Sequence, residues 1–401
     1  MTRHALRLAA ATAALTLGWT YAFAQSGATR PRRVTPSATI PAPTPTPAPA
    51  TAGTSRPAGG ATTTGTTAST ASAFALYQQK QYEAALREAR QIAAADPKNS
   101  EAWKLVGFSQ LELQQYAEAV EALRRAQELR RAEGSEDVNI EAALIRAYVS
   151  TEQYEQALPL LVAATTRPGT TPDARTLYTR GVAELRTNRA ADAERSFQAA
   201  IKADPKHAPA LLSLGQLAFR RDDHTAAINM LNRATVVDPR LAPAWEILTH
   251  AYLRRAAAAT GPKAEADNLA AVRASESLLR LRNDEDATAL HGQALIYAGQ
   301  YARAATALER VAAKPDAKGT TLYLLGFAHS RAKNFPKAIA ALERAAAATP
   351  DNAEVFRELG FAAESSKQFA KALAAYERGL QLAPGDADFQ QSADRVRPFA
   401  K

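Results

Sequence analysis

The feature that most constrains this chain is a period of 34 residues. Gly181 and Gly215 are 34 apart, and Gly292, Gly326 and Gly360 keep the same step. Ala193 and Ala227 repeat it, as do Ala304, Ala338 and Ala372. Nine copies lie between Ala73 and Pro384, each with a small residue, an aromatic about nine places later and an alanine three beyond that, often closed by proline. Such a unit buries its apolar face only against its neighbours, so the chain must fold as a stacked array.

The copy from Ala208 to Pro239 shows the unit best: Leu211, Leu214, Gly215, Ala218, Ala227, Leu231, Ala234 and Pro239 occupy positions 4, 7, 8, 11, 20, 24, 27 and 32. Positions 4, 7, 8 and 11 share one face of a first helix. Position 8 is small where a second helix crosses, with position 20 as its expected small counterpart. Proline at position 32 ends the second helix, because it lacks the amide hydrogen a continuing helix needs and restricts the residue before it.

This arrangement resembles the tetratricopeptide repeat family. Trp103, Val106, Gly107, Tyr116, Ala119, Leu123 and Ala126 follow the family pattern in one copy. Phe356, Leu359, Gly360, Phe369, Ala372, Tyr376, Gly379 and Pro384 follow it in another. The resemblance implies an all-α fold, a right-handed superhelical solenoid of about nine helix-turn-helix units over residues 73–384, with residues 385–401 as a capping helix and tail. It covers about four fifths of the chain and names no particular function.

Departures mark the irregular places. The third copy has Ile145 where glycine is expected, after a polar segment, Arg130 to Asp137, read as a longer loop. The sixth has Thr249 there; Ala256 to Ala259, Gly261 and Pro262 delay its second helix to about Lys263–Leu281. The first copy has a shortened first helix, as a terminal unit without an outer neighbour is free to have. Asp386 to Val396 reads as the C-terminal cap.

Residues 1–72 differ in kind, with no Asp, Glu or Lys. Arg3 and Arg7 precede an uncharged run, Leu8 to Ala24, ending in Ala22-Phe23-Ala24. That is the layout of a secretory signal peptide over residues 1–24 with cleavage before Gln25; the alternative is an uncleaved anchor, for which the run is short. Residues 25–72 are rich in Pro, Thr, Ala, Ser and Gly and cannot offset the entropy of ordering, so a disordered, partly polyproline linker is expected. Exported or envelope localisation, in a bacterial-type periplasm, follows as an expectation.

Of 49 basic residues six are arginines in residues 1–72, leaving 43 basic against 40 acidic residues in the array. The sequence pI of about 9.7 therefore reports the leader and linker, and gives no support to nucleic-acid binding. With no cysteine there is no disulfide, thiol nucleophile or thiolate metal site. Phosphate loops, nucleophile elbows and zinc-protease motifs are missing. Ser330-Arg331-Ala332-Lys333 matches a serine–lysine motif in letters, but it falls at the turn between two helices and has no Lys-Thr-Gly partner. His207, His224, His250, His291 and His329 occupy different copies and different positions, which argues against a metal centre. No enzyme activity, cofactor or metal is expected.

In a stack of this kind positions 2, 5, 9 and 12 of the first helix face the concave side. They include Lys104, Phe108, Arg146, Tyr178, Val182, Leu212, Gln216, Phe219, His250, Leu253, Tyr323, Phe327, Arg357 and Phe361. A helix needs one apolar face to pack; a second suggests a groove for a protein or peptide segment, unless neighbouring repeats bury it. Tyr323, Phe327 and Phe361 are expected to form one aromatic patch. No Lys or Arg stands four residues before an Asn, so the carboxylate clamp of chaperone-binding relatives is not expected. The resulting expectation is a non-enzymatic scaffold binding a protein or peptide. The alternatives are an accessory module of a glycan-processing or polysaccharide-export complex, and a direct cell-wall glycan binder.

Overall fold

The computed structural model describes residues 69–400; the signal peptide and nearly all of the linker read from the sequence lie outside them. Among the described residues there are nineteen α-helices, a terminal 3-10 turn and no strand. Eighteen of the helices form nine hairpins. The first four are α1 (Thr70–Gln78) with α2 (Tyr82–Ala95), α3 (Ser100–Glu112) with α4 (Tyr116–Ala132), α5 (Val138–Ser150) with α6 (Tyr154–Thr166), and α7 (Ala174–Arg186) with α8 (Ala190–Ala203). Next come α9 (Ala208–Arg220) with α10 (His224–Val237) and α11 (Ala242–Ala257) with α12 (Pro262–Leu281). The last three are α13 (Glu285–Tyr297) with α14 (Tyr301–Ala312), α15 (Gly319–Arg331) with α16 (Phe335–Ala348), and α17 (Ala353–Ser365) with α18 (Phe369–Leu382), followed by α19 (Ala387–Val396). The described residues fall into two compact units, one ending at Ala143 and the other beginning at Leu144. The boundary lies inside α5, the helix with Ile145 in the glycine position.

Within each hairpin the glycine does what the sequence requires, against a different partner from the one expected. A Cβ on Gly215 would lie 2.6 Å from Leu231 Cγ, one on Gly326 2.4 Å from Leu342 Cγ, and one on Gly360 2.4 Å from the Tyr376 ring. The side chain filling the space is therefore position 24. Alanine at position 20 is buried beside it, as Ala227, Ala338 and Ala372 show at 0% exposure, but it is not the group that forces position 8 to be glycine.

Helix ends follow local chemistry. Asn99, Asp173, Asp223, Asp284, Asn352 and Asp386 each accept an amide N–H at a helix start, worth about 1 kcal/mol per cap. Asp96, Asp204 and Asp238 leave the helix in extended backbone before Pro97, Pro205 and Pro239. The indoles of Trp103 and Trp245, at position 4, donate to the carbonyls of Pro97 and Pro239 at 3.1 and 2.9 Å, tying each unit to the end of the one before.

The turn between the two helices of a unit has a signature the sequence conceals. Lys80, Gln114, Glu152, Asn188, Asp222, Lys333 and Lys367 all have φ between 58 and 61°, and Gly299 takes the same place at 72°. Seven non-glycine residues thus occupy the left-handed region, where a Cβ is unfavourable.

Three boundaries differ from expectation. Helix α4 continues through Ala132, so the loop before α5 is shorter than Arg130–Asp137; Arg130 stays helical and its guanidinium pairs with Glu101 and Glu133. Ala256 is buried within α11 rather than in the insertion. The lengthened sixth hairpin is clasped by Arg255, whose guanidinium donates twice to Asp267 at 2.7 and 2.8 Å.

Candidate partner-binding face

First helices of successive repeats touch one another, α9 with α11, α11 with α13, α13 with α15 and α15 with α17. Position 5 sits at that seam and is occupied from inside the molecule. Lys104 Nζ reaches Asp137 at 2.7 Å, just ahead of α5. Arg357 donates to Asp386, the N-cap of α19, at 2.5 Å and lies 4.0 Å above the Phe389 ring. The Tyr178 ring lies 5.2 Å from the ring of His207, the N-cap of α9. In each case position 5 holds the entry to the next unit. The Lys104 hydrogen bond pulls the Asp137 carboxyl below its usual range despite burial that opposes it; burial raises the Tyr178 phenol.

Position 9 divides. Phe327 is 7% exposed and belongs to the core, so it is not open groove surface. Arg331 covers it: the guanidinium stands 4.3 Å from the Phe327 ring centroid and 5.1 Å from that of Phe361, between the two, and donates to both carboxylate oxygens of Glu358 at 3.0 and 3.2 Å. Tyr323 and Phe327 meet at 6.2 Å. The expected patch of three rings is therefore two rings and a cation–π bridge, with Phe361 left 42% exposed. Leu212 and Leu253 are also buried. Ser330 is buried against Glu358 at 2.7 Å and ends a helix with Arg331, while Lys333 lies beyond in the left-handed turn residue; no nucleophile is displayed there.

The remaining positions keep contact with solvent. Arg146 is exposed, and Phe108, Val182, Gln216, Phe219, His250 and Tyr323 are half-buried. His250 carries a particular signature: its ring keeps accessible surface, yet surrounding protein, reinforced by Arg254, pushes its pKa down to about 4. A side chain walled in but still reachable is what a concave surface produces. Among the described residues no group of three or more His, Cys, Asp or Glu is placed to hold a metal ion. No helix there is long and apolar enough to cross a membrane.

A family model described as tetratricopeptide repeat matches residues 71–136, 142–194, 178–244, 289–353 and 323–387. The chain belongs to the tetratricopeptide repeat family. A search of curated proteins finds no match. Among solved structures, the Cut9–Hcn1 hetero-tetramer of APC/C is similar at 15% identity and TM-score 0.39, over 77% of this chain and 58% of that one. This chain therefore spans less than two thirds of that relative. YrrB, titled a TPR protein with an unusual peptide-binding site, is similar at 17% identity and TM-score 0.42, over 50% of this chain and 99% of that one. A tetratricopeptide repeat protein from Parabacteroides merdae shows 15% identity and TM-score 0.41, over 66% and 98%. Likenesses at this level say nothing of partner or chemistry. Tetratricopeptide arrays are generally non-enzymatic scaffolds for protein interaction.

The sequence reading stopped at position 12 and so missed position 13, which lies four residues beyond position 9 on the same stripe. Arg186, Arg220, Arg254 and Arg331 stand there. The step of 34 residues between the first three was the available signal.

Proposed function

We propose that this tetratricopeptide repeat array is a non-enzymatic scaffold that binds a protein or peptide along the first helices of its second unit, in the cell envelope after export. The observation that carries the binding face is the row of half-buried polar and aromatic side chains, Tyr178, Gln216, Phe219, His250 and Tyr323, which recurs from repeat to repeat after packing and capping are accounted for. Export rests on Arg3, Arg7, the apolar run and Ala22-Phe23-Ala24.

A photo-crosslinking residue at Gln216 or His250, compared with one at exposed Arg233 on the second helix α10, tests the face in native cells. Discrete crosslinked partners from the first two sites and none from Arg233 are expected; the reverse pattern overturns the assignment. Mass spectrometry of the same material should find Gln25 as the mature N-terminus, and intact Met1 in the soluble cytoplasm would refute export. The exposed Phe361 ring favours one second reading, stacking on a sugar. Retention on purified cell wall that is lost in Phe361→Ala would transfer the assignment to a glycan binder.

A further inference from the structure

Arg186, Arg220 and Arg254 stand at one position of three consecutive repeats, in the last turns of α7, α9 and α11, and all three are exposed. A helix dipole favours a cation in the last turn. It does not demand one, since the same position holds Glu112, Ser150, Tyr297 and Ser365 elsewhere. Arg331, the fourth arginine at this position, is taken up by Glu358 and the two phenylalanine rings.

Nearby carboxylates are committed to other groups. Glu184 accepts from Arg180 and Ser196, Glu194 from Arg221, Asp267 from Arg255 and Glu246 from Arg282, while Asp223 caps α10. Asp222, 83% exposed, lies 4.0 Å from His224. The local field is positive: after burial, Arg254 contributes to lowering both His224 and His250.

The spacing selects a ligand conformation. Packed helices lie about 8–10 Å apart, and a polyproline II segment, with three residues per turn and about 3.1 Å rise, returns to the same face about every 9 Å. A β-strand returns at about 7 Å, and an α-helix meets the arginine step only at every second turn. We propose that the column Arg186, Arg220, Arg254 binds an acidic peptide segment in the polyproline II conformation, one carboxylate in every third residue meeting one arginine. Each guanidinium has five N–H donors, so it takes on a carboxylate beside the contacts it already makes. This rests on the scaffold reading above and names the chemistry of its partner.

The test is fluorescence anisotropy of the full chain with a synthetic proline-rich peptide carrying glutamate at every third residue. Saturable, salt-sensitive binding is expected, weakened about fivefold by each of Arg186→Gln, Arg220→Gln and Arg254→Gln. A peptide of the same composition with its glutamates contiguous should bind more weakly, and a lysine-for-glutamate peptide not at all. The column is overturned if the triple variant binds like the parent, if the contiguous peptide binds equally well, or if a single-stranded oligonucleotide of equal charge binds more tightly. Single variants keep the measurement readable should the triple variant unfold. If the acidic peptide fails while crosslinks from Gln216 and His250 persist, the column is wrong and the scaffold stands; loss of both removes the binding face itself.

Discussion

Replacing Phe327 by alanine separates packing from display on the first-helix face. The ring is 7% exposed, shares its cluster with Leu295, Leu324 and Ala341, and carries Arg331 above it at 4.3 Å. Truncation removes nearly the whole ring from a packed site and leaves a cavity, which costs about 3–5 kcal/mol. Phe361→Ala loses the other half of the same cation–π bridge, at 5.1 Å, from a ring that is 42% exposed. Its cost should be about 0.5–1 kcal/mol. A repeat array does not unfold as one two-state unit, so urea denaturation followed by circular dichroism should be paired with hydrogen exchange on α15 to α18. Protection is expected to collapse there in Phe327→Ala and to persist in Phe361→Ala. A loss below about 0.5 kcal/mol for Phe327→Ala, the size of an ordinary surface change, or equal losses for the two variants, would refute the assignment of Phe327 to the core.

Gly326→Ala places a Cβ 2.4 Å from Leu342 Cγ and should destabilise by about 1–3 kcal/mol; denaturation midpoints should show Leu342→Ala relieving part of that cost in the double variant, and strict additivity would disprove the crossing contact. Lys333→Gly removes a Cβ from a residue at φ 61° and should stabilise by about 0.5 kcal/mol, the left-handed penalty exceeding the added chain entropy, whereas a lower melting temperature would contradict the turn geometry. The Arg395 hydrogen bonds hold the Glu364 carboxyl below its ordinary value, with Tyr376 also donating and burial opposing. That contribution is complete above the ordinary glutamate range and is lost as pH falls through the lowered folded value. Melting curves of the parent and Arg395→Gln should therefore differ at neutral pH and converge in acid; a constant difference would exclude the linkage.

The hairpins were legible because their cause is local and periodic. Gly215 and Ala227 report a helix crossing by being small, and Pro239 reports a helix end by its missing donor. Two structural roles left no such trace. The left-handed turn is filled by Lys80, Gln114, Glu152, Asn188 and Asp222, residues whose composition does not advertise positive φ, since the surrounding helices impose it. The latch at position 5 depends on what stands one repeat later: Lys104 reads as a groove cation until Asp137 is seen at 2.7 Å, and Arg357 until Asp386 is seen. Helical periodicity identified the stripe on which these residues stand but not which neighbour covers them. That is why Phe327 and Phe361, 34 residues apart at equivalent positions, end at 7% and 42% exposure: Phe327 is covered by the repeat that follows it, while Phe361 has only the short α19 beyond its hairpin.

A division of labour inside the unit follows from these placements. Positions 8 and 24 fix how the two helices cross, position 5 and the N-cap fix how one unit enters the next, and the turn residue at φ near 60° fixes the angle between the helices. All three are internal constraints, so a change at any of them alters the stack before it alters a surface. What a repeat retains for recognition is the outer part of its first helix, positions 9, 12 and 13, wherever no neighbour closes over them. Those positions vary most in character across the array: Gln216, Phe219 and Arg220 in one repeat, His250, Leu253 and Arg254 in the next. Because each is anchored by a rigid crossing beneath it, neighbouring repeats present their side chains at a fixed pitch, and that pitch selects among extended ligands as strongly as the side chains themselves.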